Sequence, residues 1–136
     1  MADFSVEIVT PEKLLLSEEV TEVVLPAHDG ETGILAAHQD FVGVLGTGPL
    51  KFIQGGNDYW CVVSSGVYEI KEGKLSITAE LGERAEDVNA EATRSRVGEI
   101  EKELDGLSLD DKLDLRKELA QQQARLEVHR RTELVN

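Results

Sequence analysis

The spacing of apolar residues changes once along this chain, near Glu86. Before that point apolar residues alternate with polar ones, as Phe4, Val6 and Ile8 do, or fall in short runs. Both patterns are typical of β-strands. The further runs comprise Val20 with residues 23–25, then residues 41–45, 50–53, 59–63, 67–70 and 75–77. Beyond residue 86 the apolar residues recur at helical spacing.

Turn-forming segments separate the apolar runs of the first part. Ten of the twelve glycines and all three prolines precede residue 86. They predict turns at residues 29–30, 46–49, 55–58 and 71–73. Many short strands with regular turn signals indicate an antiparallel β-sandwich or flattened barrel, so we expect a β-sandwich domain over residues 1–86.

Residues 87–136 predict a two-helix antiparallel hairpin, which makes the chain an α+β protein. A first helix fits residues 89–104, with Asn89 or Asp87 as its N-cap. Gly106 can take the positive-φ conformation that ends a helix. Ser108 is placed to cap a second helix, whose first turn carries two acids that the helix dipole favours.

The apolar stripe of the second helix is thin. It consists of Leu115, Leu119 and Leu126, with Ala120 and Ala124 beside it. At roughly 25 cal/mol per Å² of buried apolar surface, such a seam stabilises a docked hairpin by only a few kcal/mol. The hairpin is therefore either a permanently packed appendage or an element that opens and docks again.

Net charge excludes several classes of partner. The chain carries 27 acidic and 14 basic residues, a net charge of −13. This charge argues against nucleic-acid binding and against docking on anionic lipid. The sequence contains neither a bilayer-spanning apolar run nor a signal segment, so we expect a cytosolic protein. Cys61 lies in a strand-like run and is expected to be a buried thiol.

The last helix is locally basic on this acidic protein. Residues 115–136 hold five bases and three acids, whereas residues 1–86 hold five bases and fifteen acids. The five bases are Arg116, Lys117, Arg125, Arg130 and Arg131. They form either ordinary solvated helix surface or a strip that meets an acidic partner.

No motif for catalysis is present in the sequence. A phosphate-binding glycine loop, a dinucleotide fingerprint and a serine nucleophile elbow are all missing. His28, His38 and His129 are too scattered to form a metal site. This shifts the weight from catalysis towards a binding or coupling module, and we predict no cofactor and no metal.

The glycine-punctuated segment from Leu25 to His38, with Gly30 and Gly33, has distinctive neighbours. Val9-Thr10-Pro11-Glu12 and Ser17-Glu18-Glu19-Val20 precede it, and Ser65-Gly66-Val67-Tyr68-Glu69-Ile70 follows before the helical tail. In this order and at these distances, the chain resembles the epsilon subunit of bacterial F-type rotary ATP synthases. The resemblance implies a non-catalytic rotor subunit with a β-sandwich and two C-terminal helices.

The resemblance also implies partners. In the family the sandwich docks on the gamma subunit and on the loops of the membrane c-ring, and thereby couples the catalytic head to proton flow. The expected c-ring contacts here are Gly30, Glu31, Thr32, Gly33 and His38. For Glu31, a solvated turn residue is the alternative interpretation. The implied location is peripheral, at the cytoplasmic face of the inner (plasma) membrane.

The tail is implied to have a regulatory role. In the family it folds against the sandwich or extends along gamma, where it blocks hydrolysis and its basic residues meet acids of the beta subunit. Arg116, Lys117, Arg125, Arg130 and Arg131 are the matching candidates.

One departure from the family concerns nucleotide. Some bacterial members bind ATP through Ile or Leu, Asp, two variable residues, Arg and Ala. The matching stretch here is residues 88–93, which starts with Val88 and Asn89 and finishes with Ala92 and Thr93. Asn89 stands where the family has aspartate, and Ala92 stands where it has arginine. Without that guanidinium, phosphate loses its main charge-assisted donor, and we expect weak or no ATP binding.

A different class of function stays open on the sequence alone. The chain is alternatively a free-standing β-sandwich binding module that dimerises through its helical hairpin. Such a protein would self-associate and ignore gamma, whereas a rotor subunit would form a stable complex with it.

Overall fold

The computed structural model describes residues 3–105 and 107–135, the side chain of residue 135 excepted. Seven β-strands precede two α-helices, which confirms the predicted β-sandwich followed by a helical hairpin. The strands are β1 Phe4–Val9, β2 Leu14–Val20, β3 Glu22–Ala27, β4 Gly30–Ile34, β5 Phe41–Gln54, β6 Asn57–Lys71 and β7 Lys74–Arg84. A short 3₁₀ turn, Ala85–Asp87, leads to the helices α1 Ala90–Glu103 and α2 Leu109–Val135.

All seven strands form one hydrogen-bonded sheet in the order β2-β1-β7-β6-β5-β3-β4. Neighbouring strands are antiparallel except β1 and β7, which pair in parallel. The backbone N–H of Thr21 donates to the carbonyl of Ile53 (2.9 Å), and so ties the turn after β2 to the far end of β5. The sheet thus folds over on itself into two layers.

The fold-over occurs along a single row of residues, Gly46, Ser65 and Glu80. In the ladders of β5, β6 and β7 the pairs on either side of this row keep the same register, but these three residues are left out of the pairing. The positions of β6 that face the core also switch from odd to even residue numbers at this row. Cys61 and Val63 face the core before it, and Tyr68 and Ile70 face the core after it. The row therefore divides the sandwich into its two layers.

This bend corrects the predicted turn at residues 46–49. Gly46-Thr47-Gly48-Pro49 lies inside the fourteen-residue strand β5, and the two runs 59–63 and 67–70 likewise belong to one fifteen-residue strand, β6. Both glycines sit where the bent strand passes close to β3, because an added Cβ would lie 3.0 Å from the Ala27 carbonyl at Gly46 and 3.2 Å from Pro26 at Gly48. Glycine here permits close packing, not chain reversal.

The core lies between the two layers and contains side chains from β1 to β7. Alternating positions face inward, as the sequence pattern predicted for Phe4, Val6 and Ile8. Cys61 is buried, also as predicted, and burial raises the pKa of its thiol to about 12.

The two helices begin near the predicted positions. The Asn89 side chain accepts a hydrogen bond from the backbone N–H of Ala92 (3.0 Å), which makes Asn89 the N-cap of α1. The hydroxyl of Ser108 accepts from the N–H of Asp111 (3.3 Å) at the start of α2. The predicted role of Gly106 concerns a residue outside those described. Neither described helix has the length and apolar character that a membrane span requires.

Candidate docking surfaces

The helix α2 lies against the outer face of one sandwich layer through a small apolar cluster. Val62 of β6, Ala124 and Val128 are buried there, separately from the sandwich core. Trp60, Leu81, Ala85 and Val88 pack around them, half-buried. Of the helix residues predicted for the seam, Ala124 is confirmed as buried, whereas Leu115, Leu119 and Leu126 are half-buried and Ala120 is exposed. The apolar contact with the sandwich is therefore as small as the sequence indicated.

Polar contacts support this docked arrangement. Arg125 Nε donates to Glu83 of β7 (2.9 Å), and both side chains are mostly shielded from solvent. Lys117 pairs with Glu80 at 3.0 Å, where both side chains are more than half exposed, so this ion pair contributes little. Gln121 donates to the fully buried hydroxyl of Ser64 (3.1 Å).

The basic residues near the end of α2 are occupied within the chain. Arg130 and Arg131 both bond to Glu127, and these hydrogen bonds lower the pKa of its carboxyl to about 2. The Arg131 guanidinium also lies 4.9 Å from the centroid of the Trp60 ring. Together with Lys117 and Arg125, four of the five basic candidates thus make internal contacts in the docked hairpin. Arg116 is exposed and makes no ion pair with any described residue.

The two helices are joined to each other by Arg96. Its Nε and one terminal nitrogen each donate to a Glu118 oxygen at 2.7 Å, a bidentate pair between α1 and α2. Glu99 and Glu103 lie 3.1 and 3.4 Å from its other nitrogen. Hydrogen bonding from Arg96 lowers the pKa of Glu118. The hairpin is therefore held by charge as well as by its apolar seam.

The residues that match the nucleotide motif border a groove of about 320 Å³. Asn89, Ala92 and Thr93 line it, while Val88 packs into the apolar cluster under α2. The Asn89 side chain is engaged as the N-cap of α1, and the Thr93 hydroxyl donates to the Asn89 carbonyl (2.7 Å). Two arginines, Arg96 and Arg125, supply positive charge to the groove, but both are paired with carboxylates of the chain.

The glycine-punctuated segment forms the exposed edge of the sheet. Gly30, with φ of +130°, follows the turn into β4, and Glu31 and Gly33 are exposed while Thr32 is half-buried. His38 is also exposed and lies four residues beyond the far end of β4, with its Nδ1 2.9 Å from the Gln39 carbonyl. The candidates for the c-ring contact thus lie along one edge strand and the segment after it.

The surface also carries an apolar feature that the sequence pattern did not predict. Four exposed residues and Thr78 form a row across five strands of the layer that α2 leaves uncovered, which we call the apolar row. Backbone pairing places Leu14 beside Val9, Val9 beside Thr78, Thr78 beside Val67, and Val67 beside Val44. Val44 is 57% exposed and Val67 is 50% exposed. Val42, two residues before Val44 in β5, is 65% exposed.

A contiguous apolar strip on the exposed face of a folded domain indicates an interaction surface. The run Phe41-Val42-Gly43-Val44 contained a signal for it, because it is apolar on both strand faces. Only one face of this strand packs against the core, so the apolar residues on its other face stay exposed. These features define the class of protein: a folded-over β-sandwich that carries a helical hairpin on one outer face and an apolar row on the other.

Comparisons with known proteins agree with this class. The family model for the beta-sandwich domain of the ATP synthase delta/epsilon chain matches residues 3–85. The ATP synthase epsilon chain of Nitratidesulfovibrio vulgaris (strain Miyazaki F) is 44% identical over 88 residues, which span 65% of this chain and 66% of the relative. That of Geobacter metallireducens is 36% identical over 107 residues, spanning 79% of this chain and 78% of the relative.

Solved structures share the fold. A chain of the Euglena gracilis mitochondrial ATP synthase (OSCP/F1/c-ring) superposes with a TM-score of 0.74 at 20% identity, covering 98% of this chain and 81% of that one. A chain of the Tetrahymena thermophila central stalk/c-ring gives 0.65 at 14% identity, with 92% and 95% covered. The chain belongs to the ATP synthase delta/epsilon chain family, in which it is a non-catalytic subunit.

Proposed function

We propose that this chain is a central-stalk rotor subunit of a proton-translocating ATP synthase, which couples the catalytic head to the c-ring through the gamma subunit. Membership of the family supports this role, and the apolar row is the observation that carries it. An apolar strip across five strands needs a protein partner to cover it. In the proposed assembly that partner is gamma, and residues 1–86 are the docking domain.

The proposed gamma contact is tested by charge substitution in the apolar row. The double variant Val44→Asp with Val67→Asp is expected to weaken gamma binding at least about a hundredfold, since each carboxylate would be desolvated at the centre of the interface. Both side chains are half exposed, so folding is expected to survive. The measurement is co-expression with gamma followed by gel filtration and a titration of the purified subunits.

Leu134→Asp is the matched control, because Leu134 is 73% exposed but lies on α2, away from the row. Unchanged gamma binding by the double variant would exclude the row as the contact. A wild-type chain that ignores gamma and elutes as a homodimer would favour a free-standing module with a dimerisation hairpin.

The edge of the sheet is the proposed contact with the c-ring loops. Gly30, Glu31, Thr32, Gly33 and His38 lie on β4 and the segment after it, where all but Thr32 are exposed. Glu31 offers a carboxylate to a polar loop. This contact would hold the chain peripherally at the cytoplasmic face of the inner (plasma) membrane, with no nucleic acid involved.

The helical hairpin, residues 87–136, is the proposed regulatory element. Its small apolar cluster and its ion pairs with β7 support a docked state of limited stability. On extension, Lys117 and Arg125 would exchange their carboxylate partners on β7 for acids of the beta subunit. Arg116, Arg130 and Arg131 would be presented to the same acids. The tail would then inhibit ATP hydrolysis.

ATP is not expected to control this hairpin. Since Arg96 and Arg125 are already neutralised and Ala92 replaces the family's arginine, ATP should not saturate the chain below about 1 mM. Amide NMR shifts during an ATP titration measure this, and a variant with Ala92→Arg and Asn89→Asp is the positive control. Saturation of the wild-type chain at lower ATP concentration would contradict the prediction.

A further inference from the structure

The helix α2 packs unevenly along its length against the sandwich. In its middle, Ala124 and Val128 are buried, and Arg125 is paired with Glu83 of β7. At its end, a water-accessible cavity of about 300 Å³ lies beside β6, and Thr132 lines it. Atoms that face such a space lose the van der Waals contacts that a filled interface supplies. The last turns of α2 are therefore held less firmly than its middle.

Two hydrogen-bond donors are buried without a partner at this end of the helix. The indole Nε1–H of Trp60 and the hydroxyl of Thr132 make no hydrogen bond with any described residue. Both residues line the cavity, but these two atoms have almost no accessible surface, so water in the cavity does not reach them. Buried donors are almost always paired, because an unmade hydrogen bond is costly. This contact is therefore an exception that needs a physical reason.

The burial of both donors depends on α2. Trp60 and Val62 are two residues apart in β6, so both point to the outer face of the sheet, which α2 covers. Thr132 belongs to α2 itself. When the helix end leaves the sandwich, water hydrates both groups, whereas docking removes that water and supplies no replacement. Each unmade hydrogen bond disfavours the docked arrangement at least about fivefold.

One favourable contact at this end opposes that cost. The Arg131 guanidinium lies 4.9 Å from the centroid of the Trp60 ring, and the Arg131 side chain is 34% exposed. A cation–π contact that is partly open to water is weak, so it offsets about one of the two unmade hydrogen bonds. The contact between the helix end and β6 thus stays unfavourable or close to balanced.

We propose that Trp60 and Thr132 form a built-in release contact of the helical hairpin. Docking leaves both donors unpaired, and this mismatch keeps the end of α2 weakly held on the sandwich. The released population of the hairpin is then set by these two polar groups as well as by the small apolar cluster. The regulatory meaning of the release contact rests on the proposed function of the hairpin, whereas its effect on docking does not.

The test measures hydrogen exchange of the Trp60 indole N–H in the full chain. Trp60 is the only tryptophan, so its indole gives one resonance in a nitrogen-15 NMR spectrum. Because this N–H is shielded from water in the docked arrangement, its exchange requires release of the helix end. Thr132→Val keeps the side-chain shape and removes the unpaired hydroxyl, so exchange is expected to slow about fivefold. Unchanged or faster exchange in Thr132→Val would overturn the proposal.

Thr93→Val is the matched control for added apolar surface. Thr93 is also a buried helix residue, but its hydroxyl donates to the Asn89 carbonyl (2.7 Å). The same substitution there removes a hydrogen bond that is made, so exchange of the Trp60 indole should not slow. Thr132→Ser keeps the unpaired hydroxyl and should not slow it either. Equal slowing by Thr93→Val and Thr132→Val would refute the release contact.

A second measurement separates the release contact from the proposed function. With the matching catalytic head and gamma, Thr132→Val should inhibit ATP hydrolysis less than the wild-type chain, because less of the tail is released. Slowed indole exchange with unchanged inhibition would support the release contact and contradict the regulatory role of the hairpin. The exchange measurement uses the isolated chain, so its failure leaves the proposed rotor role untouched.

Discussion

Gly66→Ala is expected to destabilise the sandwich by about 4 kcal/mol or more, a large share of the stability of a domain this size. Gly66 has φ of +153° beside the row where the sheet folds over, and an added Cβ would lie 1.9 Å from the carbonyl oxygen of Thr78. That oxygen belongs to the neighbouring strand β7, so relief would require β6 and β7 to separate at the bend. Urea unfolding followed by the fluorescence of Trp60 measures the loss.

Gly55→Ala is the matched control for this prediction. Gly55 also has positive φ (+58°), but no heavy atom lies within 4 Å of its added Cβ. Its substitution should cost only the backbone strain, about 1 kcal/mol. If the two variants lost the same stability, the close contact with Thr78 would not be the reason for glycine at position 66.

Val128→Asp is expected to release the hairpin from the sandwich without unfolding the sandwich. Val128 is fully buried against Val62, and a carboxylate there would cost several kcal/mol, more than the small apolar cluster contributes. The sandwich core is a separate cluster and should stay intact. Trp60 fluorescence should shift to the red, because Arg131 and α2 no longer cover the indole, and tryptic cleavage of α2 should accelerate at least about tenfold.

Leu113→Asp tests whether charge alone has this effect, since Leu113 lies on the same helix and is 56% exposed. It should leave fluorescence and cleavage unchanged.

With the matching catalytic head and gamma, Val128→Asp should inhibit ATP hydrolysis more strongly than the wild-type chain if the extended tail is the inhibitor. A released hairpin with unchanged hydrolysis would argue against the regulatory role.

The strands were predictable wherever the evidence for them lies in neighbouring residues of the chain. The alternation in β1 and the glycine turns after β5 and β6 are properties of adjacent residues, so the sequence predicted them correctly. The segment 46–49 was misread as a turn, because glycine and proline mark both chain reversal and close approach between strands. Only the presence of Ala27 and Pro26 beside Gly46 and Gly48 distinguishes the two.

The candidate surfaces depended more heavily on tertiary structure. The apolar row joins residues 9, 14, 44, 67 and 78, which meet only through the pairing of five strands. In sequence, Val44 and Val67 were members of apolar strand runs like those of the core, and Thr78 is polar. Likewise, the basic residues of α2 were visible as a group, but the acidic partners of Lys117 and Arg125 lie far away in sequence, in β7.

By itself, the sequence determined the class of the protein: a β-sandwich followed by a capped, weakly apolar helical hairpin, without a recognisable catalytic motif. These features follow from local periodicity, capping and composition, which each residue carries with it. The tertiary structure decided where the sheet bends, which apolar side chains stay exposed, and which charges of α2 are already paired. Each of those depends on residues far apart in the chain, and burial and ion pairing arise only when folding brings them together.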